Sequence, residues 1–449
     1  METTLSPLLQ ALEEGDTLTL KKLLEEVHPQ DLLNLWDDLE GEHRYVLLTL
    51  LPKDKAAEVF SNLSPEAQAE YLKTLPPWRV RELLEELSLD DLADALQAVE
   101  EEDPDLYRRL KEALDPETRA EVEELTQYEE DEAGGLMTPE YVAVREGMTV
   151  EEVLRFLRRA APDAETIYYL YVVDEESRLK GVLSLRDLIV ADPRTKVAEI
   201  MNPRVVHVRT DTDQEEVARL MADYDFTVLP VVDEEDRLVG IVTVDDVLDV
   251  LEAEATEDIH KLAAVDVPDL VYSQASPVNL WLARVRWLVI LILTGMVTSS
   301  ILQGFEGLLE AATALAFYVP VLIGTGGNTG NQASTLIIRA LATRDLDLKD
   351  WREVLGKEVA VGVLLGLTLA LLLLGKVALD GHLSLVPVVG LSLLLIVVFA
   401  NLVGALLPFG LRRLGVDPAL LSNPLIATLT DVTGLLIYLT MARLLLNLV

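Results

Sequence analysis

The stretch SNPLIATLTDVTGLLIYLTMA runs from Ser422 to Ala442 and contains a single charged residue, Asp431. As an α-helix it is long enough to cross the roughly 30 Å hydrocarbon core of a bilayer. An ionisable group at membrane depth costs free energy, so it usually faces a polar cavity or an ion path. The stretch therefore predicts a membrane helix that lines a cation pathway.

The spacing around Asp431 supports this interpretation. Asn423, Ala427 and Asp431 follow one another at intervals of four, so they share one stripe of a helix. Asn423 and Pro424 together can start or break a helix and so free carbonyl groups for the path. The alternative is a structural Asp431, hydrogen-bonded to Thr428 or to another helix.

A second stretch, PVLIGTGGNTGNQ, covers residues 320–332 and is rich in Gly, Thr and Asn. These residues predict that a membrane helix is interrupted here. A broken backbone is tolerated at membrane depth only where protein or water satisfies its polar groups. The stretch therefore indicates a second wall of the same pathway.

Hydropathy predicts five membrane helices, at residues 281–304, 311–339, 355–378, 383–409 and 420–446. Basic residues concentrate in the loops after the second and fourth helices, which places these loops in the cytoplasm. They are Arg339, Arg344, Lys349, Arg352, Lys357, Arg412 and Arg413. We expect residues 1–280 to be cytoplasmic, since no basic leader precedes them, and the C-terminus to lie outside a bacterial inner membrane.

The charge of the chain is uneven. The net charge is −40, and residues 1–280 hold 67 acidic and 26 basic residues. Such a polyanion repels nucleic acid and attracts cations. The chain has no cysteine, which excludes disulfides and thiolate metal sites.

Periodicity divides the cytoplasmic part. Leucines at helical spacing and repeated helix-start signals predict an all-α, acidic, superhelical domain at residues 1–128. Residues 129–250 contain two copies of one α+β pattern, in which Met137 corresponds to Met201 and Gly181 to Gly240. Residues 251–270 predict an acidic connecting helix, and residues 271–449 form the membrane domain. The fold class is therefore multidomain.

The internal repeat closely resembles a tandem pair of CBS domains, which regulate many kinds of protein. Ser184, Arg186 and Asp187 resemble the ribose-binding pattern of the CBS domains that bind nucleotides. The resemblance implies ATP or another adenine nucleotide as a ligand of the first copy. The acidic surface argues against it because it repels phosphates.

Oxygen ligands indicate which cation the pathway takes. The stripe on the last helix offers carboxylate, amide and carbonyl oxygens, whereas transition metals favour His or Cys. Mg²⁺ keeps several waters and is usually held by one or two carboxylates. Five helices are few for a pore, so a homodimer would place two copies of Asp431 on its axis. This reasoning leaves a monovalent cation open.

The order of domains, together with PVLIGTGGNTGNQ and NPLIATLTD, resembles the MgtE family of magnesium channels over the whole chain. The resemblance implies a homodimeric Mg²⁺ channel in the lipid bilayer. It implies that Asp431 recognises hydrated Mg²⁺ with help from Asn423 and the carbonyls of Ala427 and Gly324. The residues expected to shape the pore are Gly326, Gly327, Asn328, Asn331, Gln332 and Thr428.

Carboxylates of the cytoplasmic domains suggest a Mg²⁺ sensor. Like charges one helical turn apart are destabilising, so we expect Mg²⁺ to bridge them and compact the domains. In the resembling family the compact state is closed, which gives negative feedback. The candidate residues are Asp90, Asp94, Glu215, Asp225, Asp246, Asp249, Glu254, Glu257, Asp258 and Asp417.

Other functions remain to be weighed against this one. An ion-coupled secondary transporter for divalent cations is the main alternative, because its sequence would look much the same. An anion channel is disfavoured by a carboxylate in the pathway. A membrane enzyme is disfavoured by the lack of a nucleophile–base pattern in the sequence, and a tethered sensor would leave Asp431 unexplained.

Overall fold

The computed structural model describes residues 2–36, 38–161, 164–265, 272, 275–418 and 423–446. These residues form two compact units, an N-terminal unit (Met1–Glu252) and a C-terminal unit (Ala253–Val449). Each unit is treated by itself below.

Short helices make up the first part of the N-terminal unit, as predicted. Several begin with a side-chain cap followed by proline, for example at Ser64, Asp103 and Asp115, whose side chains accept hydrogen bonds from backbone N–H groups. The helices are α1 (Glu2–Glu14), α2 (Thr17–Glu26), α3 (Pro29–Trp36), α4 (Gly41–Leu50), α5 (Lys53–Ser61), α6 (Pro65–Thr74), α7 (Pro77–Glu86), α8 (Leu89–Glu102), α9 (Pro104–Ala113), α10 (Pro116–Leu125) and α11 (Ala133–Leu136).

Leucines hold these helices together. Leu24, Leu47 and Leu96 are fully buried, and each contributes about 2 kcal/mol through removal of apolar area from water. The core also contains the Arg79 side chain, which is 2% exposed. Its Nε and Nη2 donate to the carbonyl oxygens of Leu48 and Leu51, each at 2.7 Å, so a buried cation satisfies the end of α4.

The internal repeat folds into two matching α+β halves. In each half a three-stranded sheet has one parallel and one antiparallel pair, in the order β1-β2-β3 and β4-β5-β6. The strands are β1 (Ala143–Arg145), β2 (Tyr169–Val173), β3 (Leu179–Ser184), β4 (Val208–Arg209), β5 (Val228–Val232) and β6 (Leu238–Thr243). The helices are α12 (Val150–Ala160), α13 (Leu185–Val190), α14 (Val197–Ile200), α15 (Gln214–Tyr224) and α16 (Val244–Leu262). The helix predicted at 251–270 thus begins earlier, at Val244, and residues 266–270 lie outside the described residues.

The C-terminal unit consists of long helices. They are α17 (Pro277–Gly304), α18 (Glu306–Ala311), α19 (Val319–Ala342), α20 (Trp351–Leu379), α21 (Val386–Arg413) and α22 (Asn423–Leu446), with short 3-10 turns at Thr313–Phe317, Leu348–Asp350 and Leu383–Leu385. Among the described residues, four segments are long and apolar enough to cross a membrane: Pro277–Gly304, Leu348–Leu379, Leu383–Arg413 and Asn423–Leu446. α19 is more polar and lies against α21 and α22.

The interruption predicted at Pro320–Gln332 is wrong, because α19 is a continuous α-helix. Its proline stands in the first turn, where a missing N–H costs nothing. Hydroxyl groups of Thr325 and Thr329 donate to carbonyls one turn earlier, at 2.6 and 2.8 Å. The glycines serve close packing: Cβ on Gly326 would lie 2.7 Å from a methyl of Ile396. Small residues at such crossings let membrane helices approach.

A glycine on α21 provides a test of this packing. Cβ on Gly404 would lie 2.2 Å from the carbonyl oxygen of Gly330, so Gly404→Ala should force α19 and α21 apart. We expect a loss of about 1–3 kcal/mol, typical of overpacking, which lowers the apparent Tm in detergent by several degrees. Gly356→Ala on α20 is the control, since its Cβ meets nothing within 4 Å. Equal Tm values for the two variants would contradict the close crossing.

Candidate functional site

Asp431 lies in the third turn of α22, where that helix meets α19. A Cβ on Gly327 would lie 3.7 Å from Oδ1 of Asp431 and 3.4 Å from Cβ of Ala427. A Cβ on Gly330 would lie 3.2 Å from a methyl of Ile426. The small face of α19 therefore lies directly beside the stripe that carries Asp431, and both candidate stretches form one site.

The Asp431 carboxylate is half-buried, and within the described residues no side chain or backbone group donates a hydrogen bond or ion pair to it. Burial of an ionised carboxylate without a partner costs several kcal/mol. The hydrogen bond to Thr428 considered above is not formed, because the Thr428 hydroxyl donates to the carbonyl oxygen of Pro424 at 2.8 Å. An arrangement of this kind suits a charge that a cation balances.

Two asparagine side chains, one on α19 and one on α22, each have an amide oxygen that accepts no hydrogen bond from the described residues. Oδ1 of Asn423 and Oδ1 of Asn331 are buried without a hydrogen-bond partner among the described residues. Asn423 is the first described residue of α22, and the predicted start of this helix at residue 420 lies outside the described residues. Buried oxygens without donors are suited to a hydrated cation, whose waters donate.

The other predicted pathway residues fall on two sides of α19. Gly326 and Gly327 are buried at the helix crossings, whereas Gly324, Asn328 and Gln332 are less enclosed on this single chain. The Ala427 carbonyl accepts from the Thr430 hydroxyl at 2.8 Å. Among the described residues, no three His, Cys, Asp or Glu side chains gather at metal-binding distance. The described residues of one chain therefore do not form a carboxylate cage around Asp431.

A second acidic site forms in the N-terminal unit, where α8 meets the start of α16. Asp90, Asp91 and Asp94 of α8 lie within electrostatic range of Asp245 and Asp246 of α16. Three of these, Asp90, Asp94 and Asp246, are predicted regulatory residues, and the structure brings them together. Oδ1 of Asp90 is buried and has no hydrogen-bond partner in the described chain.

The acids of this cluster, called the α8–α16 cluster below, have raised pKa values. Burial and the Asp90 charge raise the pKa of Asp91 to about 6. Desolvation, then the charges of Asp90 and Asp91, raises the pKa of Asp94 to about 7. Burial also raises the pKa of Asp246 to about 7, against the hydrogen bond from Thr243. The α8–α16 cluster is therefore electrostatically strained when its acids are ionised.

Sequence reasoning missed two members of this cluster, Glu140 and Glu165. Burial raises the pKa of Glu140 to about 7, and burial raises that of Glu165, with Asp90 adding to both. They stand in loops around β1 and β2, far in sequence from α8. No sequence pattern predicts that these residues lie beside α8, because their position depends on how the repeat packs against the helices.

Glu215 and Asp225 do not form a site together within this chain. They stand at opposite ends of α15, about 15 Å apart at 1.5 Å per residue. Asp225 ends α15 in the left-handed conformation, with φ 53°. The Asp249 side chain lies at the surface. Its pKa is raised first by desolvation from the atoms packed around it and then by the charge of Glu252.

In the C-terminal unit a lysine sits among the predicted regulatory acids. Lys261 Nζ lies 2.7 Å from Glu257 and 2.9 Å from Asp417. Although partial burial lowers the pKa of Lys261, these two hydrogen bonds raise it overall. Burial, then Asp417, raises the pKa of Asp258. Two of the predicted acids, Glu257 and Asp417, thus pair with a cation that sequence reasoning did not single out, and Asp258 lies within electrostatic range of it and of Glu254.

The two copies of the repeat use one hydroxyl–carboxylate pattern differently. Ser184 Oγ donates to Asp187 at 2.6 Å and caps α13, where Arg186 and Asp187 are exposed. In the second copy Thr243 Oγ1 donates to Asp246 at 2.6 Å, and Asp246 belongs to the α8–α16 cluster. The first copy therefore presents the predicted nucleotide-binding residues to solvent, and the second does not.

Family models match the chain in three parts. A model for a divalent cation transporter matches residues 319–441, one for the MgtE intracellular N domain matches 27–131, and one for CBS domains matches 133–194 and 197–253. The fold and these matches define a membrane transporter of divalent cations with intracellular CBS domains.

The relatives specify the family. The chain is 82% identical, over the full length of both proteins, to the magnesium transporter MgtE of Thermus thermophilus. It is 41% identical to that of Enterococcus faecalis, over 73% of this chain and 72% of the relative. The chain belongs to the MgtE family of magnesium transporters, and it is not an enzyme.

A solved structure resembles the N-terminal part. The crystal structure of the cytosolic domain of the Mg²⁺ channel MgtE in complex with ATP is 84% identical, with a TM-score of 0.54. The match covers 55% of this chain and 99% of that one. The predicted helical domain and CBS pair are confirmed by these comparisons.

The α8–α16 cluster predicts a pH-dependent stability. Acids with raised pKa values bind protons more tightly when folded, so stability present below about pH 4 should be lost as pH rises towards about 7. In chelator, Asp246→Asn should raise the Tm at pH 8 by a few degrees, about 2–4 °C per kcal/mol. Asp94→Asn should raise it by less, because water screens the exposed Asp94 side chain. Both variants should also lose less Tm than the parent as the pH rises.

Thermal unfolding of the full chain between pH 4.5 and 8 measures this dependence, with Glu70→Gln on the surface of α6 as the control. Mg²⁺ should raise the Tm of the parent more at pH 8 than at pH 5. If the Tm of the variants falls with pH as steeply as that of the parent, then the general negative charge of the chain, not the α8–α16 cluster, sets the pH dependence.

Proposed function

We propose that this protein is a homodimeric, Mg²⁺-selective channel that mediates Mg²⁺ influx across the inner membrane and closes when cytosolic Mg²⁺ is high. The observation that carries the proposal is the Asp431 carboxylate, unpaired among the described residues and lying in a membrane-spanning helix beside the small face of α19. Its charge attracts a cation, and its apolar surroundings strengthen that attraction.

Partial hydration of the ion fits the pathway. Mg²⁺ gives up water reluctantly, so it passes with most of its shell in place. Asp431 attracts it through that shell, Asn423 accepts hydrogen bonds from its waters, and the carbonyls of Ala427 and Gly324 provide further acceptors. A membrane potential that is negative inside favours entry of a divalent ion by about 4.6 kcal/mol per 100 mV.

A second copy of the chain completes the site. One chain supplies one carboxylate, and α17 exposes apolar side chains such as Leu288 (59%) and Ile292 (66%). The exposed apolar face of α17 requires lipid or another copy of the chain to cover it. In our proposal five helices of each copy, α17 and α19 to α22, cross the membrane, and two copies of Asp431 face one pathway.

Cytosolic Mg²⁺ acts at the acidic sites. A divalent ion in the α8–α16 cluster would offset the repulsion among Asp90, Asp94 and Asp246, so it favours the compact arrangement. In the C-terminal unit Mg²⁺ would bind among Glu254, Glu257, Asp258 and Asp417, where Lys261 now neutralises part of the charge. Glu215, Asp225 and Asp249 would bind Mg²⁺ more weakly.

ATP binding is part of this proposal. The related cytosolic domain was solved with ATP, and the first copy of the repeat exposes Arg186 and Asp187. Ser184 and Asp187 would bind the ribose hydroxyls, and Arg186 would offset the phosphate charge.

Current through single proteins distinguishes a channel from the coupled transporter. In patch-clamped liposomes that contain the full chain, Asp431→Asn should reduce Mg²⁺ current by more than about tenfold, equivalent to about 1.4 kcal/mol. Glu310→Gln, which removes an exposed acid of the same unit, should leave the current unchanged. Gradient-driven Mg²⁺ flux without current would favour the transporter, and full current in Asp431→Asn would make Asp431 structural.

The orientation can be tested because the natural chain lacks cysteine. A maleimide that cannot cross membranes should label Glu306→Cys in intact cells, whereas Lys349→Cys should react only after the cells are opened. Glu306 begins the short helix α18 and Lys349 lies in the 3-10 turn before α20, so both exposed side chains lie in segments that connect long helices. The reverse labelling pattern would place residues 1–280 and the acidic domains outside.

A further inference from the structure

The C-terminal unit has a groove where the turn before α20 meets the end of α21. Its volume is about 470 Å³, and Trp351, Leu406 and Phe409 form its apolar walls. Gly410 borders open space, because a Cβ there would meet nothing within 4 Å. Among the described residues that line this groove, none belongs to the pathway or to the acidic sites.

The described residues that line the groove include two cations, Lys349 and Arg413, and no acid. The neighbouring arginine, Arg412, is engaged inward, since its Nη1 donates to the carbonyl oxygen of Leu341 at 2.6 Å. Arg413 is exposed, and its side chain forms no ion pair or hydrogen bond within the described residues. Consecutive arginines thus differ: one fixes α21 to α19, and the other remains available to a ligand.

The nearest acids do not cancel this charge. Asp350 accepts a hydrogen bond from the backbone N–H of Asp347 at 2.8 Å, which closes the turn. Asp347 pairs with Lys349 at 2.6 Å, but both side chains are more than half exposed. Exposed ion pairs contribute about 0–1 kcal/mol, so an anion can compete for Lys349.

The groove lies where α20, an apolar helix long enough to cross a membrane, begins. Trp351 is 40% exposed at the first residue of the apolar helix α20, and the guanidinium of Arg352 lies 5.3 Å from the centre of its ring. Tryptophan concentrates at the level of lipid headgroups, and anionic headgroups bind basic pockets between membrane helices on the cytoplasmic side. Leu348, 42% exposed, continues the apolar wall.

We propose that this groove binds one anionic phospholipid, with its phosphate between Lys349 and Arg413 and its first acyl carbons against Leu406, Phe409 and Trp351. A soluble phosphate would use the cations but not the apolar walls. The inference rests on the cytoplasmic orientation proposed above for this loop, and it does not depend on which ion the pathway conducts.

Native mass spectrometry of the full chain in mixed micelles tests the site. With equal phosphatidylglycerol and phosphatidylcholine, the parent should retain phosphatidylglycerol preferentially. The double variant Lys349→Gln/Arg413→Gln should lose that preference by about tenfold or more, since each basic side chain contributes about fivefold near an anionic surface. Lys357→Gln is the charge control, because it removes one exposed positive charge of α20 outside the groove. It is compared with the single variants Lys349→Gln and Arg413→Gln, each of which should weaken retention about fivefold.

Two further measurements separate a groove from general attraction. Gly410→Leu fills the groove without changing charge and should also reduce retention of phosphatidylglycerol. Glycerol phosphate, a water-soluble headgroup, should not displace the lipid. Equal loss in Lys357→Gln, unchanged retention in Gly410→Leu or displacement by glycerol phosphate would each overturn the proposal. Since lipid retention is measured without Mg²⁺ flux, either proposal can fail while the other stands.

Discussion

The C-terminal unit depends on one costly feature, a carboxylate with no partner among the described residues, in an apolar helix. Asp431 can stay ionised there only if something outside the chain compensates its charge. The surrounding structure is built around that requirement, since Gly327 brings α19 against the same side of α22 and leaves Asp431 room beside it. Larger residues at these crossings would separate the helices and widen the site.

Local composition predicted the helix that carries Asp431 but not the shape of its neighbour. Hydropathy and the four-residue interval placed Asp431, Ala427 and Asn423 on one helix, and all three lie on α22. Their role in the pathway stays a prediction. The stretch Pro320–Gln332 was wrongly predicted to be broken, because helix propensity penalises glycine without knowing what packs against it. In α19 that cost is offset by crossings that only glycine permits.

Contacts between segments that are far apart in the sequence could not be predicted, because they form only when the chain has folded. Lys261 meets Asp417 across 156 positions, and Glu140 meets α8 only once the repeat has folded. Runs of acids in the sequence therefore predicted where charge accumulates. They did not predict which acids share one cluster, as the separation of Glu215 from Asp225 along α15 shows.

Duplication explains how one motif can serve two ligands. Both copies of the repeat place a hydroxyl three residues before a carboxylate at the end of a strand. In the first copy the carboxylate of Asp187 faces solvent next to Arg186, so a phosphate can approach. In the second copy Asp246 faces Asp90 and Asp91, and that negative field repels phosphate while it attracts a divalent cation. The helical domain brings the acids of α8 to Asp246 of the second copy and leaves Asp187 of the first copy exposed. The proposed ligands are divided accordingly: nucleotide at the first copy and Mg²⁺ at the second.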